Sequence, residues 1–178
     1  ASSAASDVYK RQGLDHILFI VGIFFLSIKL NSLFLQITIF TLAHSVTLAM
    51  ASLGLVNISP SLVEPLIAAS IVYVAIENFY SKAINLRRSL VVFIFGLLHG
   101  LGFASVLAEF GLPVQQFIPA LIGFNIGVEL GQLSVVFILF IAIGYWFNKK
   151  NWYRKFITLP ISGAVGLIGS YWFFERII

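Results

Sequence analysis

Three histidines, His16, His44 and His99, sit in segments that are otherwise almost wholly apolar. His16 directly follows Asp15. His44 shares one helix face with Thr38, Thr41 and Ser45, which at 100° per residue fall within an arc of roughly 120°. His99 lies in Phe95-Gly96-Leu97-Leu98-His99-Gly100-Leu101-Gly102-Phe103-Ala104-Ser105, with no further ionisable residue before Glu109. Asn125, Glu129 and Gln132 recur at i, i+4 and i+7, a polar stripe on one helix. Imidazoles with a carboxylate suit a divalent transition metal. Neutral amides and hydroxyls complete or orient such a ligand set. A carboxylate at mid-membrane costs at least ~2.5 kcal/mol on insertion scales. Glu129 therefore needs a proton, a histidine or a cation. The expectation is a polar cavity near mid-depth on which His44, His99 and Glu129 converge. Asp15 and His16 stand nearer its entrance as further metal ligands. Thr41, Ser45, Asn125, Gln132 and Glu64 flank the ligands or the cation path.

Each of these groups also has an ordinary structural explanation. Asp15-His16 can be an interfacial pair in a first helical turn, where an acid favours the positive dipole end. His44 can bond across helices, and Glu129 can pair with a histidine. Glu64 before Pro65 reads as a helix start. Glu77-Asn78 lies close to a basic loop and reads as one half of an ion pair. A different function also fits part of the set. Three histidines, an aspartate and Ser45 or Ser105 could hold zinc and activate water as a hydrolase, although no zincin motif or nucleophile elbow is present. A non-transporting membrane module attached to an extracytoplasmic domain is the third possibility. A retinal pigment is disfavoured, because every lysine falls in a loop or tail.

The elements that must position these groups are transmembrane helices. The chain is 60% hydrophobic and 10% charged over 178 residues, with a mean hydropathy of +1.01. A soluble domain carries about a quarter charged residues. Apolar runs long enough to cross a bilayer recur, and they are continuous rather than alternating, which excludes strands. The fold class is all-α: a polytopic bundle of six spanning helices at about 13–29, 33–54, 62–80, 89–109, 117–147 and 154–174. There is no cysteine, so disulfides and thiolate chemistry are excluded. The available ligands favour Ni, Zn or Cu(II) over Cu(I). A net charge of +4 reports loop topology, and no nucleic-acid partner is expected.

Gly96 and Gly100 form a GxxxG pair, and Gly100 lies about 100° round the helix from His99, so one face can pack while an adjacent face presents the imidazole. Gly123, Gly127 and Gly131 lie opposite the stripe of Glu129 and are expected to pack closely, as are Gly163, Gly166 and Gly169. Eight basic residues fall in alternate loops: Lys29; Lys82, Arg87 and Arg88; Lys149, Lys150, Arg154 and Lys155. The loops at 55–61 and 110–116 have none. Positive-inside places the basic loops, 81–88 and 148–155 among them, in the cytoplasm and both termini outside. Residues 1–12 resemble translated adapter sequence. They are expected to form a non-native or disordered tail before a single domain at 13–178, with the native start lying upstream.

The ordered stretches Gly13-Leu14-Asp15-His16-Ile17-Leu18-Phe19, Phe40 to Leu48, Phe95 to Ala104 and Phe124 to Gln132, with Val63-Glu64 and Ala75-Ile76-Glu77-Asn78, resemble the HupE/UreJ hydrogenase and urease accessory membrane proteins. The resemblance implies a bacterial cytoplasmic-membrane protein and a nickel permease supplying metalloenzyme maturation. The metal would be substrate, with no resident cofactor required. Lipid and maturation proteins are the implied partners. Family members commonly carry a histidine six residues before the Asp of the Asp-His pair; here that position is Tyr9.

Overall fold

The computed structural model describes residues 3–81, 86–109 and 114–178, with the side chains of 3–10, 86, 105–109, 114, 115 and 117 outside the description. Lys82, much of the 110–116 loop and the side chains of Tyr9 and Ser105 therefore lie outside it. Every described element is helical. The order is α1 (Ser3–Leu26), α2 (Leu30–Ser52), α3 (Pro60–Tyr80), α4 (Leu86–Glu109), α5 (Val114–Leu139), a short α6 (Tyr145–Phe147) and α7 (Leu159–Glu175). A π-helical turn, Phe140–Gly144, joins α5 to α6, and a second, Arg154–Thr158, leads into α7. Helices are the economical solution for continuous apolar runs, because each satisfies its own backbone where lipid offers no partners.

Five described stretches are long and apolar enough to span a membrane: Leu30–Ser52, Pro60–Tyr80, Arg87–Ala104, Ile118–Phe147 and Arg154–Glu175. The count among described residues is five rather than six. The expected first span, 13–29, overlaps α1, which carries polar residues as far as His16 and is apolar beyond it. The helix does not break at Gly13 but runs from Ser3, and Gln12 is buried. Pro65 also departs from expectation. It lies inside α3, and Pro60 occupies the first turn instead. At the end of α2, Gly54 (φ +73°) closes the helix: its N–H donates to the Ala51 carbonyl and that of Leu55 to Met50. This is a Schellman closure, which needs the left-handed conformation glycine tolerates.

The bundle is built on two extensive helix pairs, α2 with α4 and α3 with α7. α1 lies between them and touches both, and α5 rests on α1 and α2. Phe19, Ile23, Phe24, Ile37, Phe40 and Ile71 fill the shared core. Polar clamps close the two ends. At one end, Arg88 Nη1 meets Glu77 Oε2 at 2.6 Å, the ion pair expected for Glu77. There, Asn78 Nδ2 also donates to the Gly22 carbonyl (2.8 Å) and to Ser162 Oγ (3.0 Å). Arg154 donates to the carbonyls of Asn78, Phe79 and Ser81, the open C-terminal end of α3. At the other end, Arg176 reaches Asp15 and the Glu64 carbonyl.

Candidate metal centre

α1, α2 and α4 bring His16, His44 and His99 together. The His16 ring lies 5.1 Å from that of His44 and 4.9 Å from that of His99, centroid to centroid. All three are buried, at 7%, 0% and 1% exposure, so no water shell stands in for missing partners. The close approach of α4 to α2 makes the meeting possible. A Cβ on Gly100 would collide with the His44 carbonyl and Thr47 Oγ1, and one on Gly96 would come within 2.6 Å of the Phe40 carbonyl. Thr47 Oγ1 donates across the same contact to the Leu97 carbonyl at 2.6 Å. Gly96 and Gly100 thus leave the room in which two helices that carry histidines meet.

The hydrogen bonds around the rings define which nitrogens are free. His16 Nδ1 lies 2.8 Å from the Gln12 carbonyl, which can only accept, so Nδ1 carries the proton and Nε2 keeps its lone pair. Ser70 Oγ donates to the Ile67 carbonyl at 2.7 Å, so its contact with His99 Nε2 at 3.1 Å is one in which the imidazole donates. That leaves the lone pair of His99 on Nδ1. Among the described residues, His16 Nε2, His99 Nδ1 and both nitrogens of His44 are buried without a hydrogen-bond partner. A ring nitrogen fixed by a carbonyl or hydroxyl, with the opposite nitrogen left bare, is how metal-binding histidines are oriented. Phe40 packs against all three imidazoles, and Phe103 against His16 and His44.

Two imidazoles sharing a metal at about 2.1 Å have ring centroids roughly 4.5–5.2 Å apart, and the observed spacings lie in that range. The rings meet edge to face, and among the described residues no three His, Cys, Asp or Glu side chains are placed so that they could hold a metal ion. Ring rotation is the movement that would be required.

The carboxylates lie elsewhere. Glu129 does not join the histidines. It is half-buried and accepts from Thr38 Oγ1 at 2.8 Å. One turn along, Thr41 Oγ1 donates to Gln132 Oε1 at 3.3 Å, so the stripe on α5 faces the Thr38–Thr41 side of α2. The physical reason is rotational: α5 turns its carboxylate to the hydroxyl nearest its own helix. Asn125 donates to the Leu121 carbonyl of its own helix, and Ser45 to the Thr41 carbonyl of its own. Asp15 binds Arg176 Nη2 through both oxygens, at 2.9 and 3.1 Å, and Glu64 offers its backbone carbonyl to the same guanidinium. His16, placed by the sequence nearer an entrance than its partners, is instead the ring that touches both.

The packing expected of Gly123, Gly127 and Gly131 is corrected: among the described residues, a Cβ at any of them would meet nothing within 4 Å. Gly127 and Gly131 line an open cavity of about 730 Å³ between α1 and α5, with Gly13, Phe103, Phe124 and Val135 among its walls. His16 and Gln132 are its polar lining residues.

Residues 7–176 match the family model described as HupE / UreJ protein. The chain belongs to the HupE/UreJ family. It is a multi-pass helical membrane protein, and the HupE/UreJ match spans all three histidines together with Gln12, Ser70 and Arg176. No curated protein and no solved structure matches it. The last three residues escaped the sequence reading of this HupE/UreJ chain. Gln12 fell in the discounted tail, Ser70 is a lone hydroxyl in an apolar run, and Arg176 lies outside the basic loops. A signal for Gln12 did exist, since it precedes His16 by one helical turn.

Proposed function

We propose that this HupE/UreJ chain is a permease for a divalent transition metal. Nickel is the first candidate, and zinc and copper(II) suit the same donors. The observation that carries this reading is the set of bare nitrogens on three buried histidines, of which His16 touches both His44 and His99. Burying such groups without partners is costly, and a cation supplies the missing partner. Imidazole nitrogens without thiolates favour this class of metal. His16, His44 and His99 are the ligands. The amide of Gln132, in the wall beside His16, completes or orients the shell, with Asn125, Thr41 and Ser45 supporting it. Asp15 and Glu129 contribute compensating charge from outside the ring of nitrogens. The metal is cargo, and its role is to supply the maturation of a metalloenzyme such as a urease or hydrogenase. We place the chain in a bacterial cytoplasmic membrane, with the 81–88 and 148–155 loops in the cytoplasm and both termini outside.

Transport needs a site that binds and lets go. A set of three neutral imidazoles that must rotate to converge holds a dication less firmly than a rigid cage. The test is metal analysis and Ni²⁺ titration of purified protein, with uptake measured in cells. His99→Ala and His44→Ala, each checked for an intact helical fold, are expected to lower affinity by at least about tenfold and to abolish saturable uptake. Unchanged binding and uptake in both variants would refute the reading.

A further inference from the structure

A dication approaching the three histidines meets two quite different surroundings. On the α1–α5 side, the cavity walls are apolar apart from His16 and Gln132. A hydrated dication has little to exchange its water for along such a wall. At the Asp15 end, the approach is polar but closed. Gln12 Nε2 bonds to the Gly102 carbonyl at 2.7 Å and ties α1 to α4. Beside it, Arg176 ties α7 to α1 and α3 through both Asp15 oxygens and the Glu64 carbonyl. The guanidinium also lies 5.5 Å from the Trp172 ring centre, and Arg11 with Glu175 forms a neighbouring ion pair at 3.2 Å.

Charge adds a second argument. Three neutral histidines bring no negative charge to a dication, and Asp15 is the carboxylate adjoining His16 in the chain. Both of its oxygens are taken by Arg176, and the pair is deeply buried, with side-chain exposures of 5% and 1%. A buried carboxylate without a cation is strongly disfavoured. Asp15 therefore needs a cation or a proton whether or not a metal is present.

We infer that Arg176 is a tethered cation that occupies Asp15 while the metal site is empty, and is displaced from it when the metal enters. Arg176 is thus a gating and positioning residue, and the exchange of one cation for another keeps Asp15 neutralised throughout. The Glu64 carboxylate, on the residue whose carbonyl Arg176 already touches, is its alternative partner once displaced. The inference presupposes the metal site proposed above.

Zn²⁺ titration of the purified chain separates the two. In Arg176→Gln the competitor is gone, and Zn²⁺ binding is expected to tighten by about tenfold, whereas Asp15→Asn is expected to weaken it by about as much. A purely structural clamp predicts the opposite sign for Arg176→Gln, because loosening the bundle end disorders the site. Equal or weaker binding in that variant overturns the inference. Arg176→Lys keeps the charge but loses the two-point grip; it is expected to give a smaller gain and serves if the glutamine variant does not fold. A measurement without any change at the clamp uses the cysteine-free background. A spin label on Ile178→Cys, beside Arg176 and fully exposed, is expected to become more mobile when diamagnetic Zn²⁺ binds. Binding with an unchanged spectrum overturns the gate and leaves the metal site standing. Failure of the unmodified chain to bind Zn²⁺ or Ni²⁺ removes the metal site and the gate together.

Discussion

Gly96 and Gly100 on α4 and Gly123, Gly127 and Gly131 on α5 share one spacing and live in opposite surroundings. The α4 pair lies so close to α2 that an added methyl group would strike backbone oxygen. The α5 trio meets nothing within 4 Å among the described residues. The glycines of α7 lie between these extremes: a Cβ on Gly166 would sit 3.3 Å from Ala75 Cβ, and one on Gly169 would sit 3.1 Å from Val72 Cγ2. Small residues at every fourth position permit close approach. Whether it happens depends on what the opposing helix brings. α2 brings His44 and Thr47, which gain a contact and a cross-helix hydrogen bond from α4, whereas the α5 face borders a cavity.

The sharpest way to break this contrast is Gly100→Val. It forces a branched side chain into the His44 carbonyl and is expected to cost about 3 kcal/mol or more, read as loss of monodisperse protein or a large drop in Tm. Gly96→Ala meets the Phe40 carbonyl and Ala43 and is expected to cost about 2 kcal/mol. It should also weaken Ni²⁺ binding, because the His44–His99 spacing widens. Gly127→Ala carries the smallest effect and the opposite sign. With nothing to strike, it should gain roughly 0.5 kcal/mol from helix propensity, measured as a slightly higher Tm in the same detergent. A clear loss of stability there would mean that a partner covers the α5 face in the membrane.

The helical class and the three histidines were legible because each violates or obeys a simple rule. Long apolar runs without alternation have one solution in lipid, and an imidazole inside such a run needs a partner. The partner of each was less legible. Glu129 shares a stripe with Gln132, but periodicity gives a face and not its rotation about the helix axis, and that face met Thr38. Ser70 and Gln12 act by fixing ring tautomers, a role that depends on one hydrogen bond each and leaves no pattern in composition. Asp15 was read with its neighbour His16, yet its partner lies 161 residues away. The glycines of α5 were misjudged for the reason the contrast above supplies: spacing is a property of one helix, and packing belongs to two.

Arg154 has a consequence for the order in which the molecule is completed. Its guanidinium holds the last carbonyls of α3, and the nearest of these in sequence is 73 residues earlier. During synthesis α3 leaves the ribosome long before its closing residue exists. Until the segment bearing Arg154 arrives, those carbonyls must be held by water or lipid headgroups. The same side chain belongs to a basic loop of the kind that orients a nascent chain in the membrane. An incorrectly oriented α6–α7 segment would leave α3 uncapped, so correct insertion of the last helix and completion of the third become a single event.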